Sequence, residues 1–143
     1  MNVSSILKDK GSGVVSASPD DTLLDIARLL SEHRIGCVVV TDGDSSIVGV
    51  ISERDIVRAI ALHGVAALDK PVSESMTKKG VTCEVSDTVD RLMARMTAGR
   101  FRHLPVIVDG RLGGIVSIGD VVRLRIAEAE LEAAAMRDYI ATG

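Results

Sequence analysis

Two stretches of the chain repeat one pattern: a glycine, two apolar residues, a serine and, three residues later, an aspartate. They are Gly49, Ser52 and Asp55, and again Gly114, Ser117 and Asp120. The spacing has two chemical meanings. A serine followed by an acid three residues on is close to a capping box, which satisfies the free N–H groups at a helix start. The same carboxylate, turned outward, accepts hydrogen bonds from two vicinal hydroxyls such as those of a ribose. The serine hydroxyl and the remaining helix N–H groups then meet a phosphate. Duplication copies caps as well as sites, so both meanings stay open here.

A second cluster, Gly99-Arg100-Phe101-Arg102-His103-Leu104-Pro105, sets three cationic or titratable side chains just before an apolar run. Arg100, Arg102 and His103 form either a solvated rim or a phosphate clamp, and a helix start nearby favours the clamp. The first copy has His33-Arg34-Ile35-Gly36 at that place, with fewer donors beside the strand. Arg54 lies inside the first Ser-x-x-Asp and Gly119 inside the second, so the two sites are chemically unequal.

Catalytic groupings are missing. No serine or cysteine has a histidine and an acid at triad-like spacing, and there is no P-loop or GxGxxG. Cys37 and Cys83 lack partners at metal-ligand spacing and read as buried free thiols of a reducing cytoplasm. Thr41-Asp42-Gly43-Asp44 lacks the distal glutamate of a calcium loop and reads as a hairpin turn.

An internal repeat supplies the elements that must position these groups. Asp21-Thr22 recurs as Asp87-Thr88, Val15 as Val81, Arg34 as Arg100 and Ile35 as Phe101. GVISERDIVRAI (49–60) recurs as GIVSIGDVVRLR (114–125), with one residue gained or lost in the intervening turn. Each copy predicts a short strand (14–16; 81–82), a helix (22–32; 88–98), two β-branched runs (37–41 with 47–52; 104–108 with 112–117) and a helix after Ser52 or Ser117. One copy alone buries little core, whereas two packed sheet against sheet bury a sizeable one. The predicted fold class is therefore α/β (α+β), two tandem β-α-β-β-α units. The expected divisions are 1–68 for the first unit with its lead-in, 69–75 for a linker, 76–130 for the second unit and 131–143 for a helical extension. His63-Gly64 closes a helix, and Val3-Ser4-Ser5-Ile6-Leu7 echoes Val72-Ser73-Glu74-Ser75-Met76.

From Asp120 the chain reads as one helix to about Ala141. Val122, Ile126, Ala129, Ala133, Met136 and Ile140 recur every three or four residues, a seam suited to a second helix and hence to a homodimer.

Composition narrows the function classes. The 143 residues are 46% hydrophobic and 26% charged, with a net charge of −3. That balance gives no electrostatic footprint for nucleic acid. No apolar run reaches membrane-spanning length, and the N-terminus lacks the basic lead of a signal peptide. With no Trp, one Phe and one Tyr, a flat ligand must lie between aliphatic side chains and backbone.

The motifs GVISERD (49–55), GIVSIGD (114–120) and RHLPVIVDG (102–110), with the preludes SPDDT and VSDT, resemble a tandem pair of CBS domains, the module named after cystathionine β-synthase. The resemblance covers nearly the whole chain. It implies a regulatory, non-enzymatic module that binds an adenine nucleotide (AMP first, with ATP, ADP or NAD(H) as alternatives) in clefts between the repeats, dimerises, and signals to a protein effector on a separate chain. It gives Asp55 and Asp120 the ribose and Ser52 and Ser117 the hydroxyl role. It places adenine against Val14, Val15, Ile35 and Cys37 in one copy and Val81, Phe101 and Leu104 in the other, with Gly36 and Pro105 also in the nucleotide site. Ile118-Gly119 departs from the polar pair usual before the second aspartate, so Arg100, Arg102 and His103 are left to hold phosphate. A structural dimerisation module with degenerate pockets is the alternative.

Overall fold

A computed structural model describes residues 2–11, 13–43, 46–78 and 81–142. Each helix starts where a short polar side chain can cap it. Thr22 precedes α2 (Leu23–His33) and accepts from Asp25 N–H, while the Asp25 carboxylate accepts in return from Thr22 N–H. The same reciprocal box, Ser52 with Asp55, opens α3 (Glu53–His63), and the Thr88 hydroxyl opens α4 (Val89–Gly99). Asn2 caps α1 (Val3–Lys10). The last helix, α5 (Ile118–Thr142), runs 25 residues without interruption.

The β-branched runs form β2 (Cys37–Thr41), β3 (Ile47–Ser52), β6 (His103–Val108) and β7 (Arg111–Ser117), two antiparallel hairpins. Short strands complete the sheets: β1 (Ser16–Ala17), β4 (Thr77–Lys78) and β5 (Cys83–Glu84). The sheet orders are β1-β2-β3-β4 and β5-β6-β7. β1 and β5 begin later than the apolar pairs Val14-Val15 and Val81-Thr82 suggest. Ladder pairing starts at Ser16 with Val39 and at Cys83 with Val106; of the preceding residues, Val15 packs against the first cluster and Val81 is exposed. Residues 44 and 45 of the first hairpin turn lie outside the described residues. Beside them, Asp42 and Ser46 bond across the turn.

Buried apolar side chains form one cluster per half. Leu23, Ile26, Val38 and Ile51 anchor the first, and Leu92, Leu104, Val106 and Val116 the second. The lead-in segments are exchanged between the halves. α1, which sequence order groups with the first copy, inserts Val3 and Ile6 into the second cluster, and Val3 N–H donates to Asp87 O at 3.0 Å. Reciprocally, the two 3-10 turns Gly64–Asp69 and Val72–Glu74 place Ala67 and Val72 in the first cluster, and β4 joins β3. The motif glycines permit this exchange. A Cβ on Gly49 would lie 2.9 Å from Thr77 O, and one on Gly114 would lie 2.8 Å from Leu7 Cδ2.

Candidate functional site

Strand alternation aims the site. In β6, His103 and Pro105 point to one side while Leu104 between them is fully buried in the second cluster. The side that His103 and Pro105 share is a cleft of about 470 Å³ between the two halves, within the range of small-molecule sites. Gly36, Cys37, Ser52, Arg54 and Asp55 line it from the first half, and Val81, Arg100, Phe101, Arg102, His103 and Pro105 from the second. The two signals met separately in sequence, Ser52-x-x-Asp55 and the basic cluster before β6, thus share one cavity.

At its acidic end the capping reading of the motif holds. Asp55 Oδ2 accepts from Ser52 N–H at 2.9 Å and from Ser52 Oγ at 3.0 Å. Capping uses only that oxygen. Oδ1 stands 3.9 Å from Arg58 Nη1, and the side chain keeps 15% exposure on the cleft wall. Four arginines, Arg54, Arg58, Arg100 and Arg102, line the cleft against two acids, Glu53 and Asp55, so its field favours an anion. Arg100 ends α4 in the left-handed region (φ 57°), which turns the chain into β6 beside the cavity. Burial, followed by the Lys10 ammonium, pushes the His103 imidazole below its ordinary 6.5. His103 is therefore a neutral hydrogen-bonding group at neutral pH rather than a third cation of the clamp. Burial likewise pushes the Cys37 and Cys83 thiols up to about 12, and both are free.

Several residues expected at a nucleotide site lie elsewhere. Leu104 is core; Val15 and Ile35 pack against the first cluster; Val14 does not line the cleft. Ser117, Gly119 and Asp120 are absent from it too. The second motif faces a separate cleft of about 320 Å³ beneath α1, where Asp120 meets Lys10 and Arg123. Among the described residues that cleft is lined by Ile6 and Lys10 of α1 and by Asp120, Arg123, Leu124 and Ala127 of α5.

Four wall residues escaped the sequence reading: Val50, Glu53, Arg58 and Thr77. Arg58 was findable, since i+3 on a helix returns to the face of Asp55. Thr77 was not, because its place follows from the exchanged lead-in. Among the described residues no group of three or more His, Cys, Asp or Glu is placed to hold a metal, and no helix is long and apolar enough to cross a membrane.

The structure thus defines a class of its own: a doubled β-α-β-β-α fold with an arginine-rich cleft between its halves. The CBS-domain profile matches residues 4–62 and 72–127, and the chain belongs to the CBS-domain family. It is similar to a CBS-domain containing protein from Agrobacterium tumefaciens, at 49% identity and a TM-score of 0.85, covering 87% of this chain and 99% of that one. It is 35% identical over 149 residues to the mitochondrial CBS domain-containing protein CBSX3 of Arabidopsis thaliana, covering 99% of this chain and 72% of that protein. A CBS domain protein from Pyrobaculum aerophilum, solved complexed with AMP, is 31% identical with a TM-score of 0.75 over 84% of this chain and 89% of that one.

Proposed function

We propose that the chain is a non-enzymatic sensor that binds AMP in the cleft between its halves and signals to a separate protein, with ADP, ATP and NAD(H) as weaker alternatives. One observation carries this reading: the cleft joins a carboxylate on its wall, Asp55, to four arginines across a slot walled by Val50, Val81, Phe101 and Pro105. A carboxylate suits a ribose diol, guanidinium groups suit phosphate, and aliphatic walls suit a purine. The AMP held by the Pyrobaculum aerophilum relative supports the ligand class. Two buried free thiols support a reducing compartment such as the cytoplasm.

Calorimetry with AMP and with adenosine tests it. Asp55→Asn, which retains a capping side chain, should weaken both ligands by an amount set by one charge-assisted bond, about 1.5–3 kcal/mol. Arg102→Ala should weaken AMP and spare adenosine. Parent-like binding of AMP by both variants refutes the assignment.

A second reading, dimerisation, is favoured by α5. Val122, Ile126, Met136 and Ile140 are all exposed along one seam, with Leu131 and Tyr139 exposed as well. A second copy laid against α5 covers that apolar surface, and the homodimer is compatible with AMP binding in the cleft.

A further inference from the structure

Asp120 holds in the second copy the place of Asp55 in the first, yet the two carboxylates meet different company. Asp120 Oδ2 accepts from Ser117 N–H at 2.8 Å and also from Lys10 Nζ at 2.7 Å. Its Oδ1 is paired with Arg123. The Lys10 ammonium donates in addition to Ile115 O at 2.9 Å. Asp120 is only 4% exposed in its side chain, against 33% for Lys10. Both oxygens of Asp120 are thus engaged: Oδ1 by Arg123, the i+3 residue that corresponds to Arg58 at Asp55, and Oδ2 by a cation from the other end of the chain, 110 residues away.

Lys10 is the last residue of α1, and α1 forms one wall of the Asp120 cleft through Ile6 and Lys10. Gly114 is what lets α1 approach so closely, since Leu7 fills the space a Cβ there would need. At Asp55 the exchanged segment arrives as β4, and residues 79 and 80 that follow it lie outside the described residues.

We propose that Lys10 is a latch on the second cleft: its ammonium takes up the Asp120 carboxylate in place of a ligand's vicinal hydroxyls, so a nucleoside enters only when the last turn of α1 lets go. The proposal rests on the nucleotide reading of Asp55 for the identity of the ligand.

The test uses the full chain with Lys10→Met, which keeps the aliphatic stem, and Asp120→Asn, which removes the counter-charge without touching α1. Hydrogen exchange in residues 7–10 should be about tenfold faster or more in both variants, the loss expected of one charge-assisted contact. AMP titration should give one site per chain in the parent and two in Lys10→Met. Two sites in the parent, parent-like exchange in both variants, or no added site in Lys10→Met each overturn the latch. Asp55→Asn in the parent background separates the failures. Loss of the single AMP in that variant leaves the Asp55 reading standing even where Lys10→Met adds no site. A parent that binds no AMP, with a Lys10→Met chain that binds one, moves nucleotide recognition to Asp120 and supports the latch.

Discussion

Two helices of this protein end on an arginine in the left-handed backbone region, and the pair makes an internally controlled experiment. Arg34 closes α2 at φ 53°, ψ 47°, and Arg100 closes α4 at φ 57°, ψ 31°. Each N–H donates back into its helix, to Leu30 O and to Met96 O. A residue with a Cβ spends about 1–2 kcal/mol to hold that conformation. Glycine is freed of this strain, but it loosens the unfolded chain at a cost of about 0.4–1 kcal/mol. Arg34→Gly and Arg100→Gly should therefore each stabilise the fold by about 0.5–1 kcal/mol. In a chain of this size that is a rise in Tm of about 1–4 °C. Both side chains are exposed and on different helices, so the double variant should add the two gains. Function separates them: Arg100 lines the cleft and Arg34 does not. Thermal denaturation with AMP titration should show Arg34→Gly more stable with parent-like affinity, and Arg100→Gly more stable with weakened AMP binding. A lower Tm in Arg34→Gly would show that the left-handed caps store no strain. An equal loss of AMP affinity in both would refute the composition assigned to the cleft.

Two further outcomes follow from the same geometry. Because the folded state holds His103 below 6.5, the unfolded chain binds the extra proton first, so stability should fall as pH drops from 6.5 toward the lowered value and then level off; His103→Gln should remove that step in a pH series of denaturation curves, and a step that persists would place the titration elsewhere. Truncation after Ile126 removes Leu131, Met136, Tyr139 and Ile140, all exposed on α5, and should lower the dimer fraction in ultracentrifugation while AMP binding is kept; a truncated chain as dimeric as the parent would move the interface off α5.

What the amino-acid order determines by itself is whatever is written within a turn or two of chain. The serine or threonine caps before α2, α3 and α4, the β-branched runs of β2, β3, β6 and β7, and the uninterrupted helix from Ile118 are legible because caps and periodicities act over three or four residues. The chemical groups of the site, Asp55 and the Arg100 to His103 cluster, are legible for the same reason. Their side chains are polar where the local pattern demands apolar core or nothing at all.

Which of these groups meet was settled only by the tertiary structure. Each copy's lead-in packs on the opposite half, with the motif glycines Gly49 and Gly114 making room for it. That exchange brings Thr77 to the wall of one cleft and Lys10 onto Asp120 in the other. Two Ser-x-x-Asp motifs thereby meet different company, Asp55 on a cavity wall with Arg58 at 3.9 Å and Asp120 held by Lys10 and Arg123. A local motif specifies that a carboxylate stands at a helix start. The charge that carboxylate meets depends on which distant segment the packing of the halves delivers to it.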